Sequence, residues 1–206
     1  MKRLAILGAS GHGKVVAEAA LLSGWSDVEF FDSAWPALTI NGVWPVRGGE
    51  AELMAGVTDY DGVVIAIGNN SIRRNKQVEL MSVNASIATI IHPAAVVSQH
   101  AVIGSGSVIF ATAVVNAFSH IGDGAILNTG CSVDHDCSLG NYVHVSPGAR
   151  LAGGVQVDDE SWIGIGACVR QLIKIGSSAV IGAGAAVVSD ISDNVTVVGV
   201  PARPIA

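Results

Sequence analysis

From Val97 onward an aliphatic side chain recurs at every sixth position. Val97, Ile103, Ile109 and Val115 open the series, and Ile175, Ile181 and Val187 close it. All sixteen positions are Val, Ile or Leu before the register breaks at Asp193. A second register runs two residues ahead of the first and holds mostly small side chains, among them Ala101, Ser107, Ser119, Cys131, Cys137 and Ala167; Val143, Val155 and Ile173 depart from it. Glycine follows the aliphatic residue at 104, 122, 140, 164, 176 and 182, where corners open to positive φ are expected. A period of six matches neither the 3.6-residue helix nor the two-residue strand. It predicts a parallel β-helix of short flat strands and sharp turns, with the aliphatic residues stacked inward.

The residues up to about 85 follow a different rule. "LAIL" at 4–7 is a continuous apolar run, as in a buried parallel strand. Gly8, Gly11 and Gly13 bracket a turn, and 14–23 reads as a helix with Val15, Ala19 and Leu22 on its apolar face. "DVEFFD" is a second strand ending at Asp32, "ELMAG" a short helix, "YDGVVIAIGNN" a third strand, "IRRNKQVELMSV" a helix and "ASIATIIHP" a last strand. Strand and helix alternate, which predicts a small Rossmann-like α/β unit. The glycine spacing is GxxGxG rather than the dinucleotide GxGxxG. Two readings stand: a tight turn only, or a turn whose backbone N–H groups hold a diphosphate at the helix start. Asp32, at a strand end, is placed where such folds bind a ribose or a base edge.

Composition narrows the class. Of 206 residues 50% are hydrophobic and only 14% charged, so a large core is expected and disorder is not. The aromatic share is 5%, so small and branched side chains must fill that core. A net charge of −6 argues against a nucleic-acid or membrane-surface binder. No stretch approaches a membrane span, and the apolar run at the start breaks at Gly8, so neither insertion nor a signal peptide is expected. Cys131, Cys137 and Cys168 form no CxxC pair, and a reduced cytoplasmic setting is the simplest reading.

The chemistry-bearing stretch is "CSVDHDCSLGNYVHVSPGA" at 131–149. Asp134 and Asp136 flank His135. Histidine titrates in the range a general base needs, and a neighbouring carboxylate raises its basicity and orients it. His144 follows nine residues later, and His120 lies fifteen before His135. A histidine at a β-helix corner also serves as a solvated or merely structural residue. Three histidines raise a zinc site, but their spacing does not converge them, and no metal is expected. Cys131 and Cys137 fall in the small-residue register and read as packing.

"GASGHGKVV", "FFDS", "AIGNNSIRR", "IIHPAAVVS", "NTGCSVDHDCSLGNYVHVSPGA" and "VVGVPARPIA" together resemble the bacterial sugar O/N-acyltransferases. These pair an N-terminal Rossmann-like domain with a C-terminal left-handed parallel β-helix, and include N-acetyltransferases of nucleotide-linked 4-amino sugars of the bacillosamine type. The resemblance implies domains at 1–85 and 86–206, with three hexapeptides per triangular coil and five coils from 103. The left hand comes from the resemblance alone, since parallel crossovers are generally right-handed. It implies acetyl-CoA as co-substrate, a homotrimer with the coenzyme between adjacent prisms, and a nucleotide-diphosphate amino sugar in the N-terminal domain.

On the same resemblance His135 is the base and Asp136 its partner, with Asp shorter than the Glu common there. His144 sits near the acetyl carbonyl, the Gly153 backbone N–H contacts it, and Ile165 and Ala183 line the coenzyme. His135 and His144, half a coil apart, then meet across a subunit boundary. Ser10, Gly11 and His12 match the nucleotide-sugar loop, Asp32 and Ser33 a base-recognition position, and Gly68 a further contact. Lys174 and Arg203 are candidates for the coenzyme phosphates, and Arg73 and Arg74 read as a solvated helix face. The expected activity is N-acetylation of a UDP-4-amino-4,6-dideoxy sugar. O-acetylation of a sugar hydroxyl, as on sialic acid, and a non-catalytic nucleotide-sugar-binding trimer are the alternatives.

Overall fold

The computed structural model describes residues 2–205. The chain divides into two compact units, one ending at Pro93 and the other beginning at Ala94. The first unit therefore runs eight residues beyond the sequence expectation of 85. The reason lies in the backbone: the Val63 N–H donates to Ser86 O and the Ala88 N–H to Val63 O, so the segment after 85 bridges to the sheet of the first unit.

That sheet comprises β1 (Arg3–Leu7), β2 (Asp27–Phe31), β3 (Ile40–Asn41), β4 (Trp44–Gly48) and β5 (Gly62–Ile65), in the order β3-β4-β2-β1-β5. β1 pairs in parallel with β2 and with β5, and β2 in parallel with β4. Helices α1 (Gly11–Leu22), α2 (Glu50–Ala55) and α3 (Asn70–Ser82) complete the unit. Leu4, Ala5, Ile6, Val63 and Val64 are fully buried, as a two-faced parallel sheet requires. Glu29 of β2 is tied by Arg3 at 3.0 Å, Arg47 at 2.6 Å and the Tyr60 hydroxyl at 2.7 Å, so its charge is compensated where it is buried.

Three local expectations change. The β3–β4 hairpin is absent from the sequence reading, although Asn41-Gly42 carries the turn signal and Gly42 has φ +69°. The buried face of α1 is Gly13, Val16, Ala17, Ala19 and Ala20; Val15 and Leu22 are exposed. Small side chains win there because the helix lies close to the sheet, where a Cβ on Gly13 would collide with Gly8 O and approach Phe30 to 2.9 Å. The strand expected over 85–93 is an isolated bridge at Ile87 and the pair Ile90–Ile91.

The second unit is a parallel β-helix of two-residue strands paired at a spacing of eighteen. Its first face carries Val96, Val114, Ser132, Arg150, Cys168 and Ala186. The second carries Val102, His120, Ser138, Gln156 and Lys174. The third carries Val108, Ile126, His144, Trp162 and Val180, and continues to Thr196. The period-six aliphatics from Ile109 to Val187 are all buried, while Val97 and Ile103 in the first coil are half-buried.

The glycine expectation is corrected. The glycines after the aliphatics do not take positive φ. A Cβ on Gly104 would strike Gly122, and one on Gly122 would come within 2.6 Å of Gly140, so these residues are small because successive coils touch there. Positive φ falls two residues later: every sixth residue from Gly106 to Gly184 lies between +53° and +75°, glycine or not. Along one corner, Oδ1 atoms of Asp123, Asn141 and Asp159 accept the N–H groups of Ser105, Asp123 and Asn141, a ladder linking coil to coil. Among the described residues no helix is long and apolar enough to cross a membrane.

Candidate active site

His135 lies at the corner between the first and second faces. The corner demands positive φ at its third turn position, and Asp136 meets it at +59°, a conformation that Asp tolerates better than most residues. Asp136 Oδ2 is 2.7 Å from His135 Nδ1. A carboxylate only accepts, so Nδ1 carries the proton and Nε2 of the neutral ring carries the lone pair. The hydrogen bond to Asp136 is the main reason the His135 pKa lies above its ordinary value; desolvation opposes it, and the charges of Asp134 and Asp136 add to it. The ring is well exposed, at 62% of its side-chain area.

Asp134, named from the sequence only as a flanking carboxylate, holds this corner together with Asn116 and Ser119, to which the sequence reading gave no role there. Asp134 Oδ1 accepts the His135 N–H at 2.9 Å and a hydrogen from Asn116 Nδ2 at 2.9 Å. Beneath it the Ser119 hydroxyl donates to Asp134 O at 2.6 Å and accepts the Cys137 N–H at 3.2 Å. The signal for Asn116 was its spacing of eighteen from Asp134, one full coil.

One coil further on, Gly153 stacks on His135. A Cβ on Gly153 would stand 2.6 Å from Cε1 and 2.7 Å from Nε2 of the ring. The Gly153 carbonyl accepts the Leu172 N–H at 3.0 Å, and the Gly154 N–H donates to His135 O at 2.9 Å. The Gly153 N–H has no acceptor among the described residues: at 135 the preceding Asp134 takes the equivalent N–H, whereas Ala152 stands before Gly153. A groove of about 310 Å³ is lined by His135, Asp136, Gly153, Gly154, Gln171 and Leu172.

His144 is elsewhere. It is buried on the third face, with its ring 4.6 Å from that of Trp162 and Nε2 3.3 Å from Asn128 Nδ2. In a three-sided coil the His135 corner lies opposite that face, with Val133, Leu139 and Val145 filling the interior between them. One protomer therefore does not bring the two histidines together. Ile165 and Ala183 are exposed and stack, one coil apart, at the corner between the third and first faces. Lys174 and Arg203 are exposed. Cys131 and Cys137 are buried, and burial pushes the Cys131 thiol up to about 12, so neither is a nucleophile.

In the first unit a cavity of about 390 Å³ opens at the carboxyl ends of β1, β2 and β5, where the strand order reverses. Gly8, Ser10, Asp32, Ser33, Gly68 and Lys76 are among its lining residues. Asp32 does more structural work than expected: Oδ2 accepts the Ala9 N–H at 2.6 Å and Oδ1 the Ala34 N–H at 2.9 Å, joining two loops. Ser10 precedes α1 without capping it through its side chain. Gly8, at φ +112°, and Gly13 have no room for a Cβ, whereas nothing lies within 4 Å of a Cβ on Gly11 or Gly68. His12 is pushed down to about 4 by burial, with the Arg73 charge adding, so it is neutral near pH 7.

Arg73 corrects the solvated-face reading. It is 1% exposed, and donates to Ile67 O at 2.9 Å, Gly68 O at 3.1 Å and Asn70 Oδ1 at 2.8 Å, fixing the loop that carries Gly68.

Residues 3–80 match the family model described as the PglD N-terminal domain. The whole chain superposes on the acetyltransferase domain of PglB from Neisseria gonorrhoeae, solved in complex with acetyl coenzyme A, with a TM-score of 0.92, 42% identity and 99% of each chain covered. The chain belongs to the hexapeptide-repeat nucleotide-sugar N-acetyltransferase family. A second solved member, PerB from Caulobacter crescentus in complex with CoA and GDP-perosamine, aligns with a TM-score of 0.95 and 36% identity, covering 100% of this chain and 98% of that one. UDP-N-acetylbacillosamine N-acetyltransferase from Bacillus subtilis is 39% identical over 116 residues, covering 54% of this chain and 52% of that protein. The matches span about half the length of the curated relatives, 54% and 52% for two of them. The family fold matches the α/β unit and parallel β-helix that the resemblance implied.

Proposed function

We propose that this chain is an N-acetyltransferase that uses acetyl-CoA to acetylate a nucleotide-diphosphate-linked amino sugar, specifically a UDP-linked 4-amino-4,6-dideoxy sugar. The observation that carries the reading is the His135–Asp136 pair set against Gly153, whose N–H has no acceptor among the described residues. The acetyl thioester supplies the electrophile. His135 Nε2 takes the proton that the amine nitrogen sheds on attack, and Asp136 steadies the ring as it becomes charged. The Gly153 N–H donates to the developing oxyanion. The groove is lined by no Ser, Thr, Cys or Lys, and with His135 assigned as the base the transfer is direct, without an acyl-enzyme.

The proposed assembly is a homotrimer, because His144 serves the acetyl group only if the His144 of the partner subunit approaches the His135 corner. Ile165 and Ala183, exposed in one column, suit the wall of the coenzyme groove, and Lys174 and Arg203 its phosphates. The cavity in the first unit is proposed as the nucleotide site. Ser10, Gly11 and His12 contribute the helix start, Asp32 and Ser33 the base or ribose contact, and Gly68 the opposite lip. The space over Gly11 and Gly68, which the protein itself does not fill, supports a diphosphate approaching the backbone there.

The test is thiol release from acetyl-CoA against UDP- and GDP-linked 4-amino sugars and their 4-hydroxy counterparts. Turnover with the UDP amino sugar is expected. Turnover only with GDP sugars would change the nucleotide assignment, turnover only with hydroxy sugars the acceptor, and ligand binding without thiol release would replace the enzyme reading by a binding one.

A further inference from the structure

We propose that Leu172 is a specificity-determining residue that limits the acyl group to a short chain. The inference rests on the acyl-transfer reading above. The floor of the groove beside His135 is the pair Gly153-Gly154. A Cβ on Gly153 would meet the His135 ring at 2.6 Å, and one on Gly154 would meet Leu172 Cδ2 at 2.7 Å. The base therefore closes one end of a glycine-floored slot and an isobutyl group closes the other.

The fold does not call for leucine at 172. The residue is 74% exposed, so it contributes little to the core. Its φ is +60°, a conformation that costs a residue with a side chain about 1–2 kcal/mol and that glycine fills at seven equivalent corners from Gly106 to Gly184. Two other bulky residues share this corner position, and each has a packing reason: Tyr142 is buried and Phe118 stacks on His100 at 5.3 Å. Leu172 leans on Gly154. Its own N–H holds the Gly153 carbonyl at 3.0 Å, which fixes it to the peptide beside the proposed oxyanion donor.

The reaction geometry gives the leucine its role. As the C–N bond forms, the carbonyl oxygen accepts a hydrogen bond from the Gly153 N–H, and the amine enters from the side of His135. The proton leaves the nitrogen for Nε2 and passes to the sulfur as the C–S bond breaks, so atoms and charge balance. With oxygen and nitrogen placed, the alkyl group of the acyl carbon runs away from His135 across Gly154 and ends at Leu172. A methyl fits before that wall; each further methylene meets the leucine. Discrimination by one methylene in an apolar pocket is typically about 10–200-fold.

The experiment compares acetyl-, propionyl- and butyryl-CoA as donors to one nucleotide-linked 4-amino sugar, using the full chain and its Leu172→Ala and Leu172→Gly variants. The propionyl-to-acetyl ratio of kcat/KM should rise by about tenfold or more in both variants, and the glycine variant also relieves the positive φ. An unchanged ratio overturns the inference, as does a rise in coenzyme KM shared equally by all three donors, which would place the sulfur arm at Leu172. Wild-type protein that releases thiol from none of the donors overturns the acyl-transfer reading itself, a distinct result.

Discussion

The imidazole of His135 rests on the α-carbon of Gly153, eighteen residues and one coil away, so closely that a single methyl at 153 would stand 2.6 Å from the ring. Gly153→Ala tests what that contact does. Residue 153 is not among the positive-φ glycines, so alanine is tolerated by the backbone, and the exposed ring is free to swing aside. The fold should survive while the ring leaves its line with Asp136. Turnover should drop about 10²-fold, as expected when a catalytic group is misplaced by about 1 Å. A melting temperature close to wild type with that loss is the expected pair of results; unchanged turnover would detach Gly153 from the chemistry.

The His135–Asp136 pair fixes the direction of a pH effect. Asp136 holds the His135 pKa above its ordinary value, and only the neutral ring accepts a proton. Activity should therefore fall as pH drops through that raised pKa. In Asp136→Asn the acid limb of kcat/KM should move to lower pH, because the pair loses the charge that favours imidazolium. Maximal turnover should fall as well, since the tautomer is no longer enforced. His135→Ala should lower turnover by about 10²-fold or more at pH values above the acid limb and erase the limb. A limb that persists in that variant would belong to another group.

The β-helix was legible because one constraint, an inward aliphatic every sixth residue, repeats through the unit from Ile109 to Val187. Asp134 was named only as a carboxylate flanking His135, and Asn116 and Ser119 were given no role, because their bonds to Asp134 cross from one coil to the next and a linear reading does not see residues fifteen or eighteen apart as neighbours. The corner glycines were misread for a similar reason: Gly104 and Gly122 are small on account of the coil above, not of their own φ. Arg73 looked solvated because charge in a helix usually is; here the carbonyls of Ile67 and Gly68 at a strand end supply the partners. His135, Asp136 and Gly153 were named by the resemblance and lie side by side, whereas the separation of His144 from them within one protomer was legible in the nine-residue, half-coil spacing.

Gly11 and Gly13 separate fold from binding within one motif. A Cβ on Gly13 would strike Gly8 O and crowd Phe30, whereas one on Gly11 meets nothing within 4 Å. Gly13→Ala should yield little folded protein or a large drop in melting temperature. Gly11→Ala should melt near wild type, since alanine also favours helix. It should weaken binding of the nucleotide amino sugar, measured by calorimetry, because the methyl occupies the approach to the α1 backbone. Unaltered affinity in Gly11→Ala would move the diphosphate away from the start of α1.

Ser119 sits at the base of the reactive corner, and its neighbours in the repeat provide the control. Its hydroxyl donates to Asp134 O at 2.6 Å and accepts the Cys137 N–H, closing the turn that presents His135. Ser107 makes the same bridge, donating to Gly122 O at 2.9 Å and accepting the Ala125 N–H at 3.0 Å, and Ser161 does so between Gly176 and Ala179. Each alanine substitution leaves a backbone carbonyl and an N–H unpaired in a buried setting, at a cost of about 1–3 kcal/mol. All three variants should therefore lose comparable stability in denaturant titration. Only Ser119→Ala should also lower kcat and shift the acid limb of the pH profile, because only at that corner does the released turn carry the base. Equal kinetic losses in all three would make the bridge a matter of stability alone and leave the position of His135 to Asp134 and Asn116.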